Sequence, residues 1–259
     1  PALLGVYLLC ALLMVFATIA FTLSDRVHLK DAAFGALVAA FPNTGFMGVP
    51  LLVALIGPGA AGPMICTILA DLFVTTSLCL ALAQLHEASG LGTRAALVRA
   101  LRAALGNPMP WAIGLGALFS VLDLKLAGPP EVVVRMLADA ASPVALFTIG
   151  AVLWRAQQHA HSRTPLREFL PVALVKLFVH PLLVLSGGVV ANAAGATVSP
   201  FALTVLVLNA ALPSASNVAI LAERYGADNG RVTRIIMVST ALAFVSFSAI
   251  AWLFGVRKD

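Results

Sequence analysis

The sequence predicts an all-α, polytopic membrane protein built as an inverted repeat around two crossed, broken helices. Three observations predict it. Of its 259 residues, 61% are hydrophobic and only 10% are charged. Soluble domains carry about a quarter charged residues, and a fold of this size must still face water, so it cannot hide so much apolar surface. The apolar residues fall in long stretches, each near the roughly 20 residues that cross a bilayer. Two of those stretches carry proline and small polar residues at mid-depth, at matching places in the two ends of the chain.

Eight apolar segments run approximately over 1–23, 32–56, 64–85, 105–122, 132–154, 169–190, 199–223 and 232–254. The first begins at once. Position 1 is Pro, and Leu3 to Phe21 already make a full span, too long and too unflanked for a signal peptide. The expectation is therefore that a further N-terminal piece precedes it. The second contains Phe41-Pro42-Asn43-Thr44-Gly45, then Gly48 and Pro50. The third holds Asp71 several residues inside its span, and the fourth opens on Asn107-Pro108. The fifth carries Arg135 and Asp139 one turn apart near its end, expected as an interfacial ion pair. The sixth holds Lys176 and His180, which share a helix face. The seventh contains Asn209-Ala210-Ala211-Leu212-Pro213-Ser214-Ala215-Ser216-Asn217. The eighth carries Thr240, at a place that matches Asp71 of the third when the two prolines are aligned. Cys10, Cys66 and Cys79 all lie in apolar segments and read as buried small hydrophobes, not as a disulfide frame or metal cluster.

The connections are short and hold nearly all the charge. With eight spans they alternate sides. One side collects Arg26 and Lys30; Arg94, Arg99 and Arg102; Arg155, Arg163 and Arg167; and Arg224, Arg231 and Arg234. The other has Lys125, Arg257 and Lys258. The positive-inside rule places the first set in the cytoplasm and both ends of the chain outside. The net charge of +5 is this asymmetry and implies no nucleic-acid partner.

Proline removes a backbone donor and clashes with the preceding turn. Irregular backbone at membrane depth survives only when packed in protein or lining a wet cavity. The two interrupted segments are each the second member of a three-span group, and the two spans between the groups make the second group enter from the opposite face. Broken helices at corresponding positions of inverted halves point to the binding site of a transporter. Beyond Pro42 and Pro213, each second half-helix presents free N–H groups and the positive end of its dipole. Asn43, Thr44, Ser214, Ser216 and Asn217 add side-chain donors, and Gly45 lets a ligand come close. The pattern suits a small carboxylate, which leaves water only if hydrogen bonds replace its hydration. Taken singly, each of these small polar residues could equally serve helix packing. Asp71, Lys176 and His180 are candidates for a coupling proton. The alternatives are a self-neutralising structural pair, or a lysine reaching for the interface. No zinc-ligand spacing, phosphate loop or nucleophile elbow occurs, so no catalytic residue, metal or cofactor is expected. His159 and His161 sit in an Arg-rich loop and read as solvated.

These motifs resemble the auxin efflux carrier family, in its bacterial form. The likeness is carried by Phe41 to Leu51, by Asn107-Pro108, by Ser142-Pro143-Val144-Ala145-Leu146-Phe147-Thr148-Ile149-Gly150, by Lys176-Leu177-Phe178-Val179-His180-Pro181, and by Leu212 to Gly226. The resemblance implies ten spans in two inverted groups of five, of which this chain would hold eight. It implies a mobile transport core over 1–87 and 167–259, scaffold helices over 105–157, and a homodimer in the full-length protein. Plant members export auxin, and bacterial members include malonate carriers. The long central loop of many plant exporters is absent, which fits a bacterial inner-membrane protein with the ends of this chain in the periplasm. The expected function is secondary transport of a small organic anion by elevator-type alternating access, among membrane lipid. The alternatives are a sodium-coupled carrier of the bile-acid type and a membrane sensor that binds without transporting.

Overall fold

A computed structural model describes residues 2–85, 98, 108–158 and 164–256. Arg94, Arg99, Arg102, Asn107, His159, His161, Arg163, Arg257 and Lys258 lie outside the described residues. Among those described, every regular element is helical, and a single isolated β-bridge is the only extended pairing.

The helices are α1 Ala2–Thr22, α2 Leu29–Ala40, α3 Val49–Ile56, α4 Ala61–Ala70, α5 Thr76–Leu85, α6 Pro108–Val121, α7 Pro129–Gln158, α8 Leu166–Leu174, α9 His180–Ala193, α10 Pro200–Ala210, α11 Asn217–Arg224 and α12 Asn229–Leu253. Local chemistry sets several of their starts. Ser199 caps α10 by accepting from the N–H of Ala202, with Pro200 at the first helical position, where its missing N–H costs nothing. Asp228 caps α12 by accepting from the N–H of Arg231 at 2.9 Å.

Four helical stretches are long and apolar enough to cross a membrane: Ala2–Thr22, Pro58–Gln84, Leu166–Ala193 and Asn229–Leu253. Two of these are continuous only through π turns. Asp71–Thr75 joins α4 to α5, and Val175–Val179 joins α8 to α9. The proline ring of residue 181 would clash with the carbonyl four residues back, at Leu177, and the wider turn there relieves it. At the other π turn, the Thr76 hydroxyl takes up the Asp71 carbonyl at 2.8 Å. Asp71 and Lys176, singled out from the sequence, lie in these two turns, and His180 directly follows the second.

The two ends of the chain interleave. α1 packs along α2 and α9, α2 along α5, and α12 along α8. The main core forms around α2, where Phe34, Leu37 and Val38 meet Val15, Leu80, Val172 and Ile235. By contrast, α6 and α7 expose Trp111, Leu115, Val133 and Met136, as helices do when lipid is the solvent. The α7 helix reaches the interleaved body at α12 and at the π turn Thr44–Gly48.

Two charged residues depart from expectation. Arg135 pairs with Glu131 at 2.8 Å and not with Asp139. Both acids are one turn away, but an acid on the N-terminal side has the better orientation, and Glu131 lies in the first turn, where the helix dipole favours it. Arg231, counted above with the charges of the connections, is only 1% exposed. Its Nε donates to the Glu168 carbonyl at 2.8 Å and its Nη1 to the Asp31 carbonyl at 2.9 Å. It ties the starts of α2, α8 and α12 together.

Candidate functional site

The first interrupted span stops at Ala40. Phe41 precedes a proline and is extended, with φ −96° and ψ 104°. The chain re-enters helix at Thr44 through a third π turn, Thr44–Gly48, before α3. The second span stops at Ala210 and restarts at Asn217, leaving 211–216 outside regular helix.

The two gaps lie against each other. The Asn43 N–H donates to the Pro213 carbonyl at 2.8 Å, and the Ala215 N–H donates to the Phe41 carbonyl at 2.9 Å. Together they make one antiparallel bridge, Pro42 to Ser214. The approach is close beside it. A Cβ on Gly48 would come within 2.6 Å of Leu212 Cδ1 and 2.9 Å of Met64 Cε.

Four half-helix ends therefore converge, and they are treated differently. The negative ends are capped from within. Ser214 Oγ donates to the Val38 carbonyl in the last turn of α2 at 2.7 Å, and Lys176 Nζ donates to the Ala210 carbonyl that ends α10 at 2.9 Å. The positive ends stay open. The N–H groups of Gly45, Phe46, Ser216 and Asn217 have no hydrogen-bond partner among the described residues.

The residues proposed from the sequence are divided by this geometry. Gly45 is exposed, and Asn43 and Asn217 are half-buried beside the open amides. Thr44, Ser214 and Ser216 are buried. The hydroxyls of Thr44 and Ser214 are directed to main-chain carbonyls, at Pro42 (3.4 Å) and Val38.

Asp71, Lys176 and His180 come together in one fully buried cluster, with Tyr7 as a member the sequence did not nominate. Asp71 accepts from the Tyr7 hydroxyl at 2.7 Å and from Thr75 at 3.2 Å. Lys176 Nζ lies 2.9 Å from His180 Nδ1, and the Tyr7 and His180 rings are 6.2 Å apart. Asp71 and Lys176 interact electrostatically through space. The cluster thus runs from the third span to the end of α10 at the crossover.

Two further supports were also missed. Ser239 accepts from the Ser214 N–H at 3.2 Å while donating to the Ile236 carbonyl at 3.0 Å. Asn209 donates to the Thr67 hydroxyl at 3.1 Å. Both are small polar residues within spans, and nothing in local sequence separates them from ordinary packing residues.

The chain was compared with known proteins. The family model described as membrane transport protein matches residues 1–251. "Uncharacterized transporter YfdV" of Escherichia coli (strain K12) is 27% identical over 233 residues, covering 90% of this chain and 70% of the relative. A Rhizobium meliloti (strain 1021) protein named "Putative malonate transporter" is 27% identical over 231 residues, covering 88% and 69%. An "Uncharacterized transporter" of Methanothermobacter thermautotrophicus is 29% identical over 232 residues, covering 88% and 71%. With its spans, its paired interruptions and a family match along almost all of its length, the chain belongs to the membrane transport protein family, of the auxin efflux carrier type, and is a membrane-embedded transporter.

Proposed function

We propose that this transporter is a secondary carrier of a small organic anion, a carboxylate of the auxin or malonate kind, which rests on the open amides at the crossover. One observation carries the proposal: the two carbonyl ends at the crossover receive donors from the protein, while the two amide ends have no acceptor among the described residues. Unfilled N–H groups and two positive dipole ends favour an anion. A cation would seek the carbonyl ends, where the Ser214 hydroxyl and the Lys176 ammonium already sit. This supports an anion carrier over a sodium-coupled one. The Rhizobium relative, whose name carries malonate, is consistent with the same substrate class.

Alternating access would come from the interleaved body moving against α6 and α7 as an elevator. The bridge joining the two interruptions supports such a body, and the contact of α7 with the Thr44–Gly48 turn sets the crossover beside the static part. In full-length form the scaffold would dimerise. The charge bias supports a bacterial inner-membrane setting with the ends of this chain in the periplasm. The buried Asp71, Lys176 and His180 would carry the coupling proton.

A binding screen of mono- and dicarboxylates against the full-length protein tests the site. Asn43→Ala and Asn217→Ala should each weaken binding roughly tenfold or more, the worth of a hydrogen bond to a charged group. If both variants bind like the parent, the site lies elsewhere. Coupling is tested separately by uptake as a function of pH. Asp71→Asn should flatten the profile, and an unchanged profile removes Asp71 from the proton path.

A further inference from the structure

Away from the crossover, a cavity of about 230 Å3 opens between the α1–α2 turn and the start of α8. Phe21, Ser24, Arg26, Arg167, Glu168 and Arg231 are among the residues that line it. Its charges do not cancel. Arg231 is only partly committed: its Nε and Nη1 bond the carbonyls of Glu168 and Asp31, and Asp228, Asp31 and Glu168 all act on it electrostatically, while its buried Nη2 has no hydrogen-bond partner among the described residues. Glu168 is the one acid among these lining residues, set against the three arginines Arg26, Arg167 and Arg231. Asp25, in the same turn as Arg26, is not among the lining residues. Arg26 and Arg167 remain, both exposed and both without a partner among the described residues.

The fold holds these two arginines in place. Ser24 and Val27 bond each other's main chain in both directions, at 3.1 and 3.2 Å, which fixes the tight turn carrying Arg26. Arg167 is in the first turn of α8, so the positive end of that dipole adds to its charge. Two guanidinium forks beside a helix N-terminus match an oxyanion with several acceptor oxygens. The volume is below the roughly 300–1,000 Å3 of clefts for drug-sized ligands, so the occupant is headgroup-sized. Depth points the same way. Arg26 shortly follows the span Ala2–Thr22, and Arg167 opens the span Leu166–Ala193, so both sit where lipid headgroups lie. Phe21, largely exposed, offers an apolar flank for the carbons behind a headgroup.

We propose that this cavity binds one phosphate-type anion through Arg26 and Arg167, supplied by the headgroup of an anionic membrane lipid or by free inorganic phosphate. Basic pockets between spanning helices recognise such groups. The site is separate from the crossover, and its test does not depend on the carboxylate.

The full chain, purified in neutral detergent, is heated with micelles doped with phosphatidylglycerol, or with inorganic phosphate in excess. Near saturation, the occupant should raise the unfolding midpoint by roughly 5 to 10 °C. The Arg26→Gln/Arg167→Gln double variant should lose that rise. Arg135→Gln, which removes one positive charge elsewhere, should keep it. A rise with phosphatidylglycerol that the double variant lacks identifies a lipid headgroup, and the same pattern with phosphate alone identifies the free anion. Because Arg26 is exposed and unbonded, Arg26→Gln alone should keep the parent's midpoint without additive and lose most of the rise, which guards against misfolding of the double variant. Equal rises in parent and double variant, or no rise with either additive, overturn the proposal.

Discussion

The two interruptions do the same job with different parts. The first is three residues long, 41–43, and restarts through a π turn; the second spans six, 211–216. The carbonyl end of the first is met by a neutral hydroxyl, that of Ser214, lent by the other interruption. The carbonyl end of the second is met by an ammonium, that of Lys176, lent by a different span and tied to His180 and, through space, to Asp71. The pseudo-symmetric halves have thus divided their labour. One end depends on its partner's backbone fold, and the other is wired to the buried ionisable cluster.

Removing each cap separately gives the largest contrast. Lys176→Met should cost about 3 kcal/mol or more, because it strands the Ala210 carbonyl and His180 and leaves Asp71 without a nearby cation. Ser214→Ala should cost only about 1 kcal/mol. Thermal unfolding in detergent reads both, and equal losses would mean that the caps are equivalent after all. Crowding provides the next contrast, within the first interruption itself. Gly48→Ala, meeting Leu212 and Met64, should cost about 1–3 kcal/mol, whereas Gly45→Ala enters open space and should be nearly silent in stability. A stable Gly48→Ala would show that the side-chain ends at Leu212 and Met64 yield easily. The smallest contrast probes the longer gap. Ser239→Ala leaves the Ser214 N–H without its acceptor and should cost about 1–2 kcal/mol. The same substitution at Ser246, a buried hydroxyl with no partner among the described residues, should do less.

The interruptions were legible because proline writes them in the local chain: Pro42 and Pro213 each break a span, and each does so near the bonds that join them. Their pairing followed from the count of spans between them. The bridging atoms were not legible, since main-chain bonds between residues 170 and 174 positions apart leave no side-chain signature. Separation along the chain likewise hid Tyr7 from Asp71, 64 residues away. A tyrosine in an apolar span looks like packing until its hydroxyl is seen on a carboxylate. The π turns were invisible for another reason, because one extra residue in a turn leaves no mark on the composition of a predominantly apolar span. Arg231 misled because charge near a span end normally marks the water boundary. Here three helix starts enclose it, and two carbonyls stand in for solvent. Gly35 makes room for it, since a Cβ there would fall 2.8 Å from its Nη1.

The bridge at Pro42 and Ser214 consists of two main-chain amides and two main-chain carbonyls, so exchanging the side chains at those four positions leaves the joint itself untouched. On the proposed reading, a carrier built this way is free to change its cargo: the side chains of Asn43, within the joint, and of Asn217, beside it, can be swapped to suit a new solute while the mechanical linkage stays in place. Only proline at 43 or 215, which would delete a donor N–H, strikes the linkage directly.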